Sequence, residues 1–175
     1  MLDRARVADA ALRAACRPVP GALTHADVDR LADLPPGTTA EEFPTEADLV
    51  DLVTNGLLAH DVGVWAAAGA ALPASIEDFV ARLVTFTEAL EKQPEQWLAG
   101  VRLALDHGPL LEGRYDAVCD GLTVMLAALG VSQAGGRARI IMALIEGVIV
   151  HGLTVKRADP LARQTLADAF RRILS

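Results

Sequence analysis

Residues 24–49 read T-H-A-D-V-D-R-L-A-D-L-P-P-G-T-T-A-E-E-F-P-T-E-A-D-L, and the punctuation of this stretch decides the fold. Thr24 stands ahead of an apolar-periodic run and Asp27 follows three residues later, a capping pattern with Asp in place of the usual Glu or Gln. Val28 and Leu31 supply the buried face of the helix that follows. Pro35, Pro36 and Gly37 break the chain, and Pro36 suits the first turn of a short helix ending near Phe43. Pro44 interrupts again. Thr45, with Asp48 three residues on, then starts a longer helix with Leu49, Leu52, Val53, Leu57 and, near its end, Trp65 on its apolar stripe.

The same signals extend outward in both directions. Residues 4–16 place Val7, Ala10, Ala11, Ala14 and Ala15 at helical spacing, and Pro18, Pro20 and Gly21 end that helix. After a break at Gly69–Pro73, Ser75 caps a fifth helix that runs to about Lys92, with Phe79, Leu83, Phe86 and Leu90 on one face. Pro94 opens a sixth carrying Trp97, Val101 and Leu105, closed by Gly108 and Pro109. A seventh spans about Leu111–Leu129 and an eighth about Ser132–Lys156. The last is expected to begin at Asp159–Pro160, an N-cap followed by proline.

Composition agrees with an all-α chain. Of 175 residues, 52% are apolar, mostly Ala, Leu and Val, and only 4% are aromatic, which favours helices over strands. Mean hydropathy of +0.31 and 22% charged residues argue for a packed domain and against disorder. The longest apolar candidate, Ile140–Val150, is broken by Glu146, so no membrane span is expected. The charged N-terminus does not read as a secretory signal, and Cys16 and Cys119 form neither a C-x-x-C pair nor a disulfide framework, so the cytoplasm is expected. Fourteen Arg against two Lys hint at a GC-rich bacterial genome. A net charge of −7 argues against coating nucleic acid without specificity, but leaves room for a reader whose positive charge is local.

Three stretches together resemble the TetR family of regulators: R-V-A-D-A-A-L at Arg6–Leu12, T-H-A-D-V-D-R-L-A at Thr24–Ala32, and G-T-T-A-E-E-F-P-T-E-A-D-L at Gly37–Leu49. A-L-I-E-G-V at Ala143–Val148, followed by a final amphipathic helix, is similar to the family's dimerisation helices. The resemblance covers about residues 4–53 and 137–175. It implies an all-α fold of about nine helices. Residues 1–44 would form a three-helix, homeodomain-like helix-turn-helix domain, and 45–175 a helical bundle for ligand binding and dimerisation. The implied function is a cytoplasmic homodimeric repressor that binds operator DNA and is released by a small effector.

The departures lie on the reading surface. Ala40, Glu42 and Glu46 stand where the family has Tyr, His and a phosphate-side Lys. Residues 1–50 hold five Arg and nine acidic residues, a balance of −4. The groups available for DNA are Arg4, Arg6 and Arg30 as cations, Thr24, Thr38 and Thr39 at helix N-termini, and Glu42 as an acceptor for cytosine N4. The alternative reading is a dimeric ligand- or partner-binding protein whose helix-turn-helix persists as scaffold and no longer binds DNA in the standard way.

By resemblance, the effector pocket draws on Leu83, Phe86, Trp97, Val101, Tyr115, Cys119 and Leu122, with Tyr115 and Cys119 as polar handles for a small, mostly apolar effector. The dimer interface is expected at Ile141, Leu144, Ile145, Val148 and Ile149 of the eighth helix and at Leu166, Phe170 and Ile173 of the last. The bland reading of either stripe is plain core. No enzyme is expected. Four scattered His lack metal-ligand spacing, and there is no G-x-S-x-G, P-loop or G-x-G-x-x-G. No cofactor or metal is implied.

Overall fold

The computed structural model of the chain describes residues 3–17, 23–69, 71–155 and 162–175. Among them the structure is all-helical: α1 Arg4–Ala15, α2 His25–Leu31, α3 Thr38–Glu42, α4 Glu46–Ala68, α5 Ile76–Glu91, α6 Pro94–Ala128, α7 Ala134–Thr154 and α8 Arg163–Leu174. α6 is bent at His107, whose φ of −135° and ψ of 34° interrupt the helix, so it comprises two helical segments. The bend falls where Gly108 and Pro109 were expected to end a helix. Proline at 109 lacks the N–H that would continue the ladder. Pro36, expected in the first turn of α3, lies in the turn before it, because α3 begins at Thr38 after Gly37. The expected start of the last helix at Asp159–Pro160 lies outside the described residues.

Contacts divide the chain into two compact units, one made of Met1–Asp61 and Glu95–Arg114, the other of Val62–Pro94 and Tyr115–Ser175. The partition differs from a cut at 44/45, since α4 as far as Asp61 and Glu95–Arg114 of α6 belong with the helix-turn-helix.

The first unit is built around the small face of α1. Val7, Ala10, Ala11, Ala14 and Ala15 pack with Val28 and Ala32 of the α2 region, Leu49, Val50, Val53 and Leu57 of α4, and Ala99 and Leu103 of α6. Arg102 of α6 donates to the carbonyls of Cys16 and Arg17 at 3.3 and 3.0 Å, satisfying the open end of α1.

The second unit packs α5 against α7 and α8. Its fully buried large side chains include Phe79, Leu83, Leu126, Ile141, Ile145, Ile149, Leu166 and Phe170. Trp65 stands edge-on to Phe79 and Phe86, with ring centroids 5.9 and 5.7 Å away. Ser75 caps α5 by accepting from the Asp78 amide at 3.1 Å. Arg82 ties down the preceding loop through Asp78 and the carbonyls of Gly69 and Ala71. A Cβ at 69 would lie 2.6 Å from the Arg82 guanidinium carbon, so a side chain there would displace the end of Arg82 from this loop. On α8, Arg163 reaches Glu88 and Arg171 reaches Glu77.

Candidate nucleic-acid interface

Three local devices shape the first unit's α2–turn–α3 segment. Thr24, in extended conformation, accepts from the Asp27 amide at 3.1 Å and donates its hydroxyl to the Asp27 carboxylate at 3.0 Å. Asp27 also receives Arg17 and Arg30, and the Arg30 hydrogen bond is the main reason its pKa lies below the ordinary aspartate value. The turn into α3 passes through Gly37 at φ +91°, a left-handed conformation that disfavours any residue with a Cβ. At the start of α4, Thr45 and Asp48 form a reciprocal capping box. The Thr45 amide donates to Asp48 at 2.9 Å and the Asp48 amide to Thr45 at 3.2 Å.

The turn closes on Asp29, which the sequence reading passed over. Its carboxylate accepts from the Gly37 amide at 2.7 Å, the Thr39 amide at 2.8 Å and the Thr39 hydroxyl. Asp29 is 3% exposed. Burial pushes its pKa up, but the hydrogen bonds from Thr39 and Gly37 outweigh burial and hold it below the ordinary value. One helical turn earlier on α2, His25 Nε2 donates to the Phe43 carbonyl, 2.5 Å away, at the other end of α3. A cavity of about 500 Å³ opens beside these residues, lined by His25, Ala26, Asp29, Arg30, Leu34, Pro36 and Gly37.

The residues expected at DNA fall into two groups. Thr39, expected at DNA, is fully buried with its hydroxyl turned onto Asp29. Thr38 is half-buried and donates its hydroxyl to the Pro35 carbonyl at 2.7 Å. Thr24 is exposed. The cations all have partners inside the unit. Arg4 meets Glu42 at 3.4 Å, Arg6 donates to the carbonyls of Ala32 and Asp33, and Arg30 is held by Asp27. Arg13 joins Arg6 in taking up the open carbonyls at the end of α2, through Leu31 at 2.9 Å. Glu46, at the position where the family resemblance implies a Lys, is exposed and lies 3.5 Å from His107.

The charge partition is sharper than residues 1–50 suggest. The first unit holds fourteen Asp and Glu against seven Arg, and the second holds nine acidic against nine basic residues. The whole net charge of −7 therefore belongs to the unit that contains the helix-turn-helix.

The pocket candidates divide between the units. Trp97 and Val101 belong to the first, each half-buried. Leu83, Phe86, Cys119 and Leu122 are buried in the second, and Tyr115 is exposed beside Cys119. Burial raises the pKa of both the Tyr115 phenol and the Cys119 thiol, so Cys119 is a neutral thiol at pH 7.

The expected dimer residues divide by burial. Ile141, Ile145, Val148, Ile149, Leu166 and Phe170 are buried within the second unit. Leu144 and Ile173 are half-buried. The face of α7 that remains exposed carries Ile140, Ala143, Gly147 and Val150, with Ile140 at 55%. Both sides of α7 are apolar, so periodicity alone does not say which one faces inward.

Among the described residues, no helix is long and apolar enough to cross a membrane, and no cluster of His, Cys, Asp or Glu could hold a metal.

In solved structures, the fold recurs along the whole chain. A TetR-family member from Streptomyces coelicolor A3 matches with a TM-score of 0.79 at 23% identity, covering 99% of both chains. The multidrug binding protein EbrR, complexed with malachite green, matches at 0.78 and 21%, covering 100% of this chain and 99% of its own. A transcriptional regulator from Rhodococcus sp. Rha1 matches at 0.77 and 15%, covering 99% and 96%. No curated protein matches the chain. The family described as tetracyclin repressor-like, C-terminal domain, matches residues 74–175, more than half of the chain. With its helix-turn-helix frame and this C-terminal domain, the chain belongs to the TetR family of transcriptional regulators and is not an enzyme.

Proposed function

We propose that the chain is a homodimeric repressor that binds operator DNA through α2 and α3 and releases it when a small, mostly apolar effector binds the second unit. The observation that carries this reading is the intact α2–turn–α3 frame, with Thr24 capping α2, Gly37 turning the chain and both ends of α3 held from α2. Dimerisation uses the exposed α7 face of Ile140, Ala143, Gly147 and Val150, where the absence of a side chain at 147 permits close approach. An apolar or aromatic effector is supported by Leu83, Phe86, Cys119 and Leu122, by the edge-on Trp65, and by the structural likeness to a multidrug binding protein that takes malachite green and ethidium.

A second reading has its own support. The concentration of the full −7 charge in the first unit, with Arg4, Arg6 and Arg30 engaged internally, favours a dimer that binds a ligand or protein partner without standard phosphate contacts. Binding to fragmented DNA from the source genome separates the two. The repressor reading expects retention at about 50 mM salt that falls steeply as salt rises. No retention at that salt would end it in favour of the second reading.

A further inference from the structure

α3 has little of its own to hold it in place. It is five residues long, far below the length at which a helix is stable alone, and Thr39 is its only buried residue. Its N-cap is Gly37, which has no side chain to accept from the first amides. Core packing reaches it through Thr39 and, at its C-terminal end, Phe43, and the polar groups that fix its ends come from outside the helix. We propose that Asp29 is the positioning residue of α3, acting with His25, so that two side chains from one face of α2 hold the short helix by both its ends.

The geometry carries this directly. His25 and Asp29 are four residues apart on α2 and so lie on the same face, one turn above the other. Asp29 takes the Gly37 and Thr39 amides at 2.7 and 2.8 Å together with the Thr39 hydroxyl, filling the place of the missing cap. Its negative charge sits at the positive end of α3. His25 donates to Phe43, whose carbonyl closes the other end. Hydrogen bonds to an ionised carboxylate are the stronger kind, and their loss leaves the buried Thr39 amide without a partner. One further consequence is that the Gly37 and Thr39 amides are already occupied and do not serve a DNA phosphate.

The proposal rests on the repressor reading only in naming DNA as the target of α3, and the experiment keeps the two apart. In the full-length protein, amide hydrogen exchange is followed by NMR for wild type, Asp29→Asn and His25→Ala, alongside retention on genomic DNA fragments at about 50 mM salt. Asp29→Asn is expected to speed exchange at Gly37 and Thr39 by about tenfold or more, while the amides of α1, α5 and α7 keep their wild-type rates. His25→Ala is expected to shift the Phe43 carbonyl resonance without accelerating α1. Both variants are expected to weaken DNA retention about tenfold, though neither side chain is lost from a DNA contact. Unchanged exchange at Gly37 and Thr39, or acceleration spread evenly through the first unit, would overturn the positioning role. If Asp29→Asn does not fold, His25→Ala decides, and an unmoved Phe43 carbonyl counts against the proposal. If wild type is not retained on DNA, the repressor reading fails while the exchange result still decides the role of Asp29.

Discussion

Arg171 lays its guanidinium across the carboxylate of Glu77, with Nε 3.1 Å from both oxygens and Nη2 2.8 Å from one of them. The pair joins α8 to α5 at the surface, directly beside the fully buried Phe170. Two adjacent residues thus hold α8 by different physics. An exposed ion pair adds little, because water already solvates both groups and salt screens them. Phe170→Ala is expected to destabilise the second unit by about 3–5 kcal/mol. Arg171→Ala should leave the thermal midpoint almost unmoved at 0.15 M salt and lower it only at low salt. A larger loss from Arg171→Ala than from Phe170→Ala in thermal unfolding would contradict this ordering.

Acid should loosen the first unit early. Hydrogen bonds hold the pKa values of Asp27, Asp29 and Asp48 below the ordinary aspartate value, led by Arg30 for Asp27 and by Thr45 for Asp48, and against opposing burial for Asp29. A carboxylate with a lowered folded pKa stabilises the fold fully above its unfolded value, and that contribution is lost as pH falls through the folded one. Stability from these groups is therefore flat around neutrality and declines below the ordinary aspartate range. Thermal unfolding from pH 7 down to pH 3 should show the decline, and Asp29→Asn should make it shallower. An equally steep decline in that variant would remove Asp29 from the account.

The two sides of α7 should respond differently to substitution. Ile141→Ala opens a hole in the core and is expected to cost about 2–5 kcal/mol of protomer stability. Ile140→Arg changes an exposed position and should leave helix content intact while converting a dimer to a monomer in sedimentation. A dimer that survives Ile140→Arg at micromolar concentration would remove this face from the interface.

Glu46→Lys is expected to strengthen DNA retention. It replaces a repulsive group at the start of α4 with a cation, adding about one phosphate contact and steepening the dependence of log affinity on log salt by about one. Weaker binding, or an unchanged salt slope, would show that this position does not approach the DNA backbone.

Gly37→Ala tests the turn. No atom lies within 4 Å of a Cβ built there, so the expected cost is conformational, about 1–2 kcal/mol from φ of +91°. A neutral substitution in thermal unfolding would mean that the turn can relax to negative φ.

Helix starts were the most legible part of the sequence. Thr24, Thr45 and Ser75 cap as expected because a cap and its partner amide lie within three residues of each other. The bend in α6 was legible for the same reason, since glycine and proline act on their own backbone. The partners of Asp29 and Arg4 were not. The Gly37 and Thr39 amides lie eight and ten residues from Asp29, and Glu42 lies 38 residues from Arg4. One sign was available: Asp29 falls directly after the core residue Val28 and four residues after His25, an odd place for a carboxylate unless something charged or polar awaits it. The faces of α7 were illegible for a different reason. Hydrophobicity marks what leaves water, and it does not distinguish a protomer's own core from a partner's surface.

The alanine face of α1 bears on how the two units can vary. Alanine has no rotamer to freeze on folding, so this core forms with little loss of side-chain entropy. For the same reason it has no χ angle through which to absorb added volume. A larger residue at Ala10, Ala11 or Ala14, each fully buried, must move backbone, whereas the Leu, Ile and Phe positions of the second unit can exchange shapes by repacking. Sequence change across relatives is therefore expected to be spread unevenly, with the first unit near a fixed template and the second free to drift toward new ligands.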